Sequence, residues 1–177
     1  MMAPMNFLVI DTSSPQSFVA LCKEGVLSTV PLPPLKQSQS LLPAIEKLVE
    51  NGPPLTFIAI GTGPGSFTGT RVGVMAAKAL SFSLKVPLLP FCSLKIFTPS
   101  TDGPFALIGD AKSRGSYILE GVKEGENITY FTPKIGEKKA PSTSLNLPFL
   151  KAFLEDKFHQ NGGSSHKEVV ISYLTSC

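Results

Sequence analysis

Arginine, histidine and cysteine are scarce in this chain. Its 177 residues include two arginines, Arg71 and Arg114, and two histidines, His159 and His166. The net charge is only +3. Residues 1–100 carry seven Lys/Arg against four Asp/Glu, and the remaining 77 carry nine of each. No basic block forms. A strong direct grip on RNA or DNA needs a clustered basic face, so none is expected. The three cysteines, Cys22, Cys92 and Cys177, are odd in number and far apart. That spacing argues against a disulfide framework and for a reducing compartment. No apolar run approaches the roughly 20 residues of a membrane span. The opening MMAPMNFLVIDTS has no basic leader region, and its apolar run meets Asp11 early, so a signal peptide is not expected. The expected setting is the cytoplasm.

Several reaction signatures are missing as well. There is no His-Glu-x-x-His and no Cys-x-x-Cys, so a catalytic metal is not expected. A nucleophile elbow needs Gly-x-Ser-x-Gly, and Pro64 and Thr68 stand where the glycines around Ser66 would be. No Gly-Lys pair exists, which excludes a Walker A loop.

What is present is material for a core. Apolar residues make up 42% of the chain and charged residues only 16%, a globular balance rather than a disordered one. NFLVID (Asn6 to Asp11), SFVALC (Ser17 to Cys22) and VLSTV (Val26 to Val30) read as three strands with tight turns, an antiparallel meander. SLLPAIEKLVENG places Leu41, Leu42, Ile45, Leu48 and Val49 at helical spacing, with Pro43 expected in the first turn. FIAIG is a fourth strand. A helix follows from about Phe67 to Leu84, then VPLLPF (Val86 to Phe91) as a fifth strand, and SLKIF as a short helix. The order resembles the ribonuclease H-like unit of actin-like proteins.

Beyond residue 100 the pattern loosens. FALIGDA, SYILEGV and NITYF read as strands, LPFLKAFLEDKF as a helix, NGGSS as a flexible link, and EVVISYL as a last strand. Residues 1–100 are thus expected to form a ribonuclease H-like N-terminal part, and residues 101–177 a shortened second part.

The stretch GTGPGSFTGTRVG has five glycines in thirteen residues, between a strand and a helix. Such turns often cradle phosphate. The dinucleotide pattern fails here, because Ser66 or Thr68 occupies the third glycine position. Within the helix Gly69, Gly73 and Ala77 recur every fourth residue and share one face. Glycine inside a helix costs about 0.5–1 kcal/mol, so two of them imply a close approach. The approaching element is either the chain's own sheet or a partner's helix. Asp11-Thr12-Ser13 and Asp110-Ala111-Lys112 fall where actin-like ATPases carry phosphate turns, but both lack the glycines. Asp11, Thr12 and Asp110 are candidate nucleotide-contacting residues; turn and cap residues that serve their own backbone are the alternative.

IDTSS, QSLLPAIEKL and above all GTGPGSFTGTRVGVMAAKAL resemble the bacterial TsaB family, also called YeaZ. The likeness runs through Gly63, Pro64, Gly65, Ser66, Phe67, Thr68, Gly69, Arg71 and Gly73, with Asp110-Ala111-Lys112 and Tyr117 further on. The closing SYL is similar too, with Thr175 where the family has Arg. Gln37 stands where family members often have His. The resemblance implies a mixed α/β, actin-like and Hsp70-like (ASKHA) fold with a reduced C-terminal half. It implies a non-catalytic subunit that scaffolds a TsaD-type transferase, with a TsaE-type ATPase, in making N6-threonylcarbamoyladenosine (t6A) at tRNA position 37. The complex, rather than this chain, would use ATP. Partner binding and homodimer formation through the first two helices would involve Leu41, Leu42, Ile45, Gly69, Arg71, Gly73 and Ala77. A stand-alone actin-like ATP-binding protein, a small kinase or ATPase, is the alternative. No protease constellation supports the older glycoprotease label of the family.

Overall fold

A computed structural model of the chain describes residues 3–172. β1 (Phe7–Asp11), β2 (Phe18–Lys23) and β3 (Val26–Pro31) form the expected antiparallel meander. α1 (Gln37–Val49), β4 (Phe57–Gly61), α2 (Phe67–Leu84) and β5 (Leu88–Phe91) follow. β4 pairs parallel with β1, and β5 parallel with β4, giving a five-stranded sheet in the order β3-β2-β1-β4-β5. A parallel strand needs a crossover, and α1 and α2 supply the two crossovers.

From Phe7 to Ile10 in β1 and from Phe57 to Ile60 in β4 every residue is apolar, because both faces of this sheet are covered. Side chains alternate along a strand. Leu8 and Ile10 of β1, with Ile58 and Ile60 of β4, pack against Leu41 and Ile45 of α1 and Val74 and Ala77 of α2. Phe7 and Val9, with Phe57 and Ala59, face the other way into a second core.

That second core draws on the rest of the chain. A short 3-10 turn at Ser93–Phe97 leads into β6 (Gly103–Asp110), β7 (Ser116–Glu124), β8 (Asn127–Tyr130) and β9 (Lys134–Gly136). All pairings in this sheet are antiparallel, and β7 is its centre, bonded to β6 on one side and to β8 and β9 on the other. α3 (Leu147–Asn161) then crosses the back of the first sheet. Leu150 and Leu154 are buried there, and Phe158 stacks on Phe57 at 4.4 Å, which stacks in turn on Phe7 at 4.6 Å. Asn146 fixes the start of α3. Its side-chain oxygen accepts the amide of Phe149, while its side-chain nitrogen donates to the Thr98 carbonyl at 2.7 Å.

Four expectations change. Pro43 sits in the second turn of α1, because the helix begins at Gln37, earlier than the apolar stripe suggests. The supposed flexible link is tied down: Ser164 and Leu88 exchange backbone hydrogen bonds of 2.6 and 2.9 Å at the edge of the first sheet. Glu168 to Ser172 form no strand, and the remainder of that expected strand, with the closing Tyr-Leu resemblance, lies outside the described residues. Cys22 is a free, buried thiol, but Cys92 is disulfide-bonded. The cysteine pattern therefore carries no argument for a reducing compartment. Among the described residues, no helix is long and apolar enough to cross a membrane.

Candidate functional site

β1 and β4 are parallel neighbours, so they end at the same edge of the sheet, and the turns that follow them meet. The Ser66 amide donates to the Ser13 carbonyl at 2.7 Å, and the Gly63 amide to the Ser93 hydroxyl at 3.0 Å. Ser93 returns an amide bond to the Gly63 carbonyl at 2.9 Å. Ser66 caps α2 by accepting the Gly69 amide at 3.1 Å. A Cβ on Gly65 would stand 2.2 Å from the Ser13 carbonyl oxygen. The Gly-rich turn is thus pressed onto the chain's own backbone, and its glycines are explained by that approach.

Beneath the turn, Asp11 and Thr12 are fully covered. The Thr12 hydroxyl donates to the Gly69 carbonyl at 2.5 Å. Asp11 Oδ1 accepts the Ser13 amide at 2.8 Å, while Oδ2 has no partner. Burial pushes the Asp11 carboxyl up to about 6, against the Ser13 amide and the nearby Ser93 and Ser13 hydroxyls, which pull it down. The Ser93 proton itself is directed at the Ser13 hydroxyl, 3.0 Å away. Two of the three candidate nucleotide-contacting residues, Asp11 and Thr12, are therefore spent inside the protein and line neither of the cavities described below. Depth is invisible in sequence, and here it turns phosphate-turn residue types into structural ones.

The small-residue face of α2 meets the same knot. A Cβ on Gly73 would fall 2.3 Å from Thr12 Oγ1, and one on Gly69 would fall 2.2 Å from the Thr12 carbonyl oxygen. Ala77 is buried among the apolar residues under α1 and α2. Of the two approaching elements weighed from sequence, the chain's own sheet takes this face, so Gly69, Gly73 and Ala77 offer no surface to a partner. Leu41 and Ile45 are buried in the same core.

The outer surface of α2 is different. Phe67, Met75 and Phe82 are 59%, 65% and 70% exposed. They recur at helical spacing and share one side of α2 with Arg71, whose guanidinium lies 3.7 Å from the centre of the Phe67 ring. Leu42, on the outer side of α1, is 51% exposed. Of the partner-binding candidates, Leu42 and Arg71 are thus on the surface. Met75 and Phe82 were missed in sequence, although their spacing from Phe67 could have shown them.

Asp110 closes β6 at the rim of two cavities. The larger, of about 430 Å³, lies between the N-terminus of α2 and the turn from Asp110 to Arg114, with Tyr117, Ile171 and Ser172 as its third wall. The smaller, of about 240 Å³, lies on the other side of the Gly-rich turn, against Ser13, Ser14 and Gln37. Lys138 and Lys112 both pair with Asp110, Lys112 at 3.2 Å. These lysines, with the Lys112 amide, hold the Asp110 carboxyl down at about 2. Among the described residues, no group of three His, Cys, Asp or Glu side chains gathers to hold a metal.

Comparison with known proteins gives a consistent picture. A family model described as TsaD, tRNA N6-adenosine threonylcarbamoyltransferase, matches residues 35–167. The tRNA threonylcarbamoyladenosine biosynthesis protein TsaB of Bacillus subtilis (strain 168) is 33% identical, over 96% of this chain and 77% of its own length. Its namesake in Haemophilus influenzae is 28% identical over 77% of this chain, and the match spans 57% of that protein. The Escherichia coli (strain K12) TsaB is 36% identical over 51% of this chain and 41% of itself. A solved Pseudomonas aeruginosa protein described as similar to peptidase YeaZ superposes with a TM-score of 0.84 at 19% identity, covering 96% of this chain and 99% of that one. YeaZ from Pseudomonas aeruginosa gives 0.80, also at 19% identity. At that identity the two structures show a shared mixed α/β fold.

Proposed function

The chain belongs to the TsaB family of tRNA threonylcarbamoyladenosine biosynthesis proteins, and from that premise we propose that it is a non-catalytic scaffold for a TsaD-type transferase. In this reading the transferase carries the metal and moves the threonylcarbamoyl group to adenosine at tRNA position 37. A TsaE-type ATPase joins the pair, ATP is used by the complex, and the work takes place in the cytoplasm. In this reading residues from 101 onward serve as a shortened second half; among the described residues they hold four antiparallel strands and one α-helix, α3.

One observation carries the reading: the exposed apolar stripe of Phe67, Met75 and Phe82 on α2, with Leu42 on α1. Burying a side chain of that size is worth about 1.5–3 kcal/mol. Such a row on one helix side suits docking against another protein's helices. In the absence of the transferase, the same stripe would serve a homodimer.

The test is a reconstitution with tRNA, threonine, bicarbonate and ATP and the other threonylcarbamoylation proteins of the source organism. The modified nucleoside is quantified by mass spectrometry with and without this chain. Product that depends on the chain is expected. Equal product without it defeats the scaffold reading. A Met75→Glu variant, confirmed as folded by circular dichroism, is expected to lose co-elution with the transferase on size-exclusion chromatography.

A further inference from the structure

We propose that the docking side of α2 selects a partner helix that is both apolar and acidic, with carboxylates spaced about two turns apart. The inference rests on the scaffold reading and names the chemistry that reading leaves open.

The charge of this region is one-sided. From residue 51 to residue 101 the chain has no aspartate or glutamate, and all thirteen of its acids lie outside that stretch. The same stretch holds four cations, Arg71, Lys78, Lys85 and Lys95. Lys95 lies elsewhere, its ammonium 4.5 Å from the centre of the Tyr130 ring. The other three belong to α2 and its C-cap and follow one another at seven-residue intervals.

That interval is close to a whole number of helical turns, so the cations and the apolar stripe share a side. At the angular step of an α-helix, Arg71, Met75, Lys78 and Phe82 fall within about 60° of arc. Arg71 and Lys78 are about 10 Å apart along the axis. Lys85 continues the series at the C-cap and is exposed.

Neighbouring elements do not neutralise this charge. Neither Lys78 nor Lys85 pairs with a carboxylate among the described residues. The loop that touches this end of α2, through His166 against the Phe82 ring at 5.3 Å, brings one acid, Glu168. Its carboxylate accepts the Ser165 amide at 2.8 Å instead. α1 offers no net charge, with Glu46 matched by Lys47.

Exposed apolar side chains flanked by cations alone fit a helix that carries apolar residues and acids in the same periodicity, since flanking charges set partner choice in helix pairs. A second copy of the chain fits less well. In a symmetric pair the same patch meets itself, and cations would oppose cations. An anionic membrane asks for a cluster of about four to eight Lys/Arg, and a nucleic acid for a continuous basic face. Three cations spread along α2 supply neither.

The experiment follows association of the full chain with the TsaD-type transferase of the same organism, by calorimetry and stopped flow, at about 50 and about 500 mM NaCl, where screening lengths differ about threefold. The complex should weaken about tenfold or more across that range, mostly through a slower on-rate. Lys78→Gln and Lys85→Asn should each weaken it several-fold at low salt and little at high salt. Asparagine tolerates the left-handed backbone that Lys85 adopts. Lys78→Arg should keep the parent affinity. Phe82→Ser, which removes apolar area and no charge, should weaken the complex by the same factor at both salts. Circular dichroism confirms the fold of each variant. A complex that forms but ignores salt, or full low-salt affinity in both Lys78→Gln and Lys85→Asn, overturns this inference and leaves the scaffold reading standing. Tighter binding to phosphatidylserine vesicles, to tRNA or to a second copy of the chain than to the transferase would overturn it too. No complex at either salt removes both readings.

Discussion

Thr12 lies against Gly73 so closely that a Cβ on the glycine would stand 2.3 Å from the threonine hydroxyl oxygen. The same hydroxyl is bonded to the Gly69 carbonyl, one turn earlier in α2. Together these contacts pin the first turns of α2 to the end of β1.

Gly73→Ala should therefore destabilise the chain despite alanine's better helix propensity. Propensity favours alanine by about 1 kcal/mol, but overpacking costs about 1–3 kcal/mol, and the obstructing atom belongs to a short, bonded side chain. Urea denaturation should show a lower midpoint. Combined with Thr12→Ala, which clears the space, the loss should be smaller than the sum of the two single losses. For the same reason Gly73→Glu tests folding, not partner docking.

Asp11 gives a pH signature of defined sign. Its carboxyl is raised to about 6 from 3.8, mainly by burial. Well below pH 4 the acid is protonated in both folded and unfolded chains. As pH rises from 4 to 6, the unfolded chain releases the proton first, so the contribution of Asp11 to stability falls, by about 3 kcal/mol in total. Above pH 6 it levels off. Denaturation midpoints of the parent and Asp11→Asn, compared at intervals from pH 4 to 7, should diverge across that window. The variant should lack the decline. Parallel curves would contradict the assignment.

Asn146 joins the two halves by bonding in two directions, to the Phe149 amide in α3 and to Thr98 and Ser100 ahead of the second sheet. Asn146→Ala should cost about 1–2 kcal/mol through loss of the cap and of a buried partner. Hydrogen exchange should speed up first in α3.

On α2, replacing Phe82 with serine should leave the unfolding midpoint nearly unchanged, because that ring is mostly in solvent. Association with the transferase should weaken about tenfold or more, measured by calorimetry. A large stability loss with unchanged association would remove Phe82 from the docking face.

The elements of the first sheet were legible because each carries a strong local signal. Phe7 to Asp11 is a continuous apolar run, and the apolar positions of α2 repeat at helical spacing. β9 was not legible, since Lys134–Gly136 is only three residues long and is defined by its partner Ile118 and its neighbours in β7. Ser164 read as a loose linker for the same reason: nothing local announces that Leu88 will bond to it. The candidate site divides along similar lines. Residue types around Asp11 and Asp110 suggested an anion site, but which of them face solvent depends on how two turns stack across neighbouring strands.

The stack of Phe158 on Phe57 sets an order on the chain's birth. A polypeptide leaves the ribosome from its N-terminus, and segments settle as they emerge. The strands that hold Phe7 and Phe57 emerge before the whole second sheet, and the helix that roofs them emerges only after it. Until α3 appears, the back of the first sheet presents bare aromatic rings to the cell, the condition in which nascent chains stick to one another. The arrival of α3 therefore decides whether the first sheet is sealed or sticky.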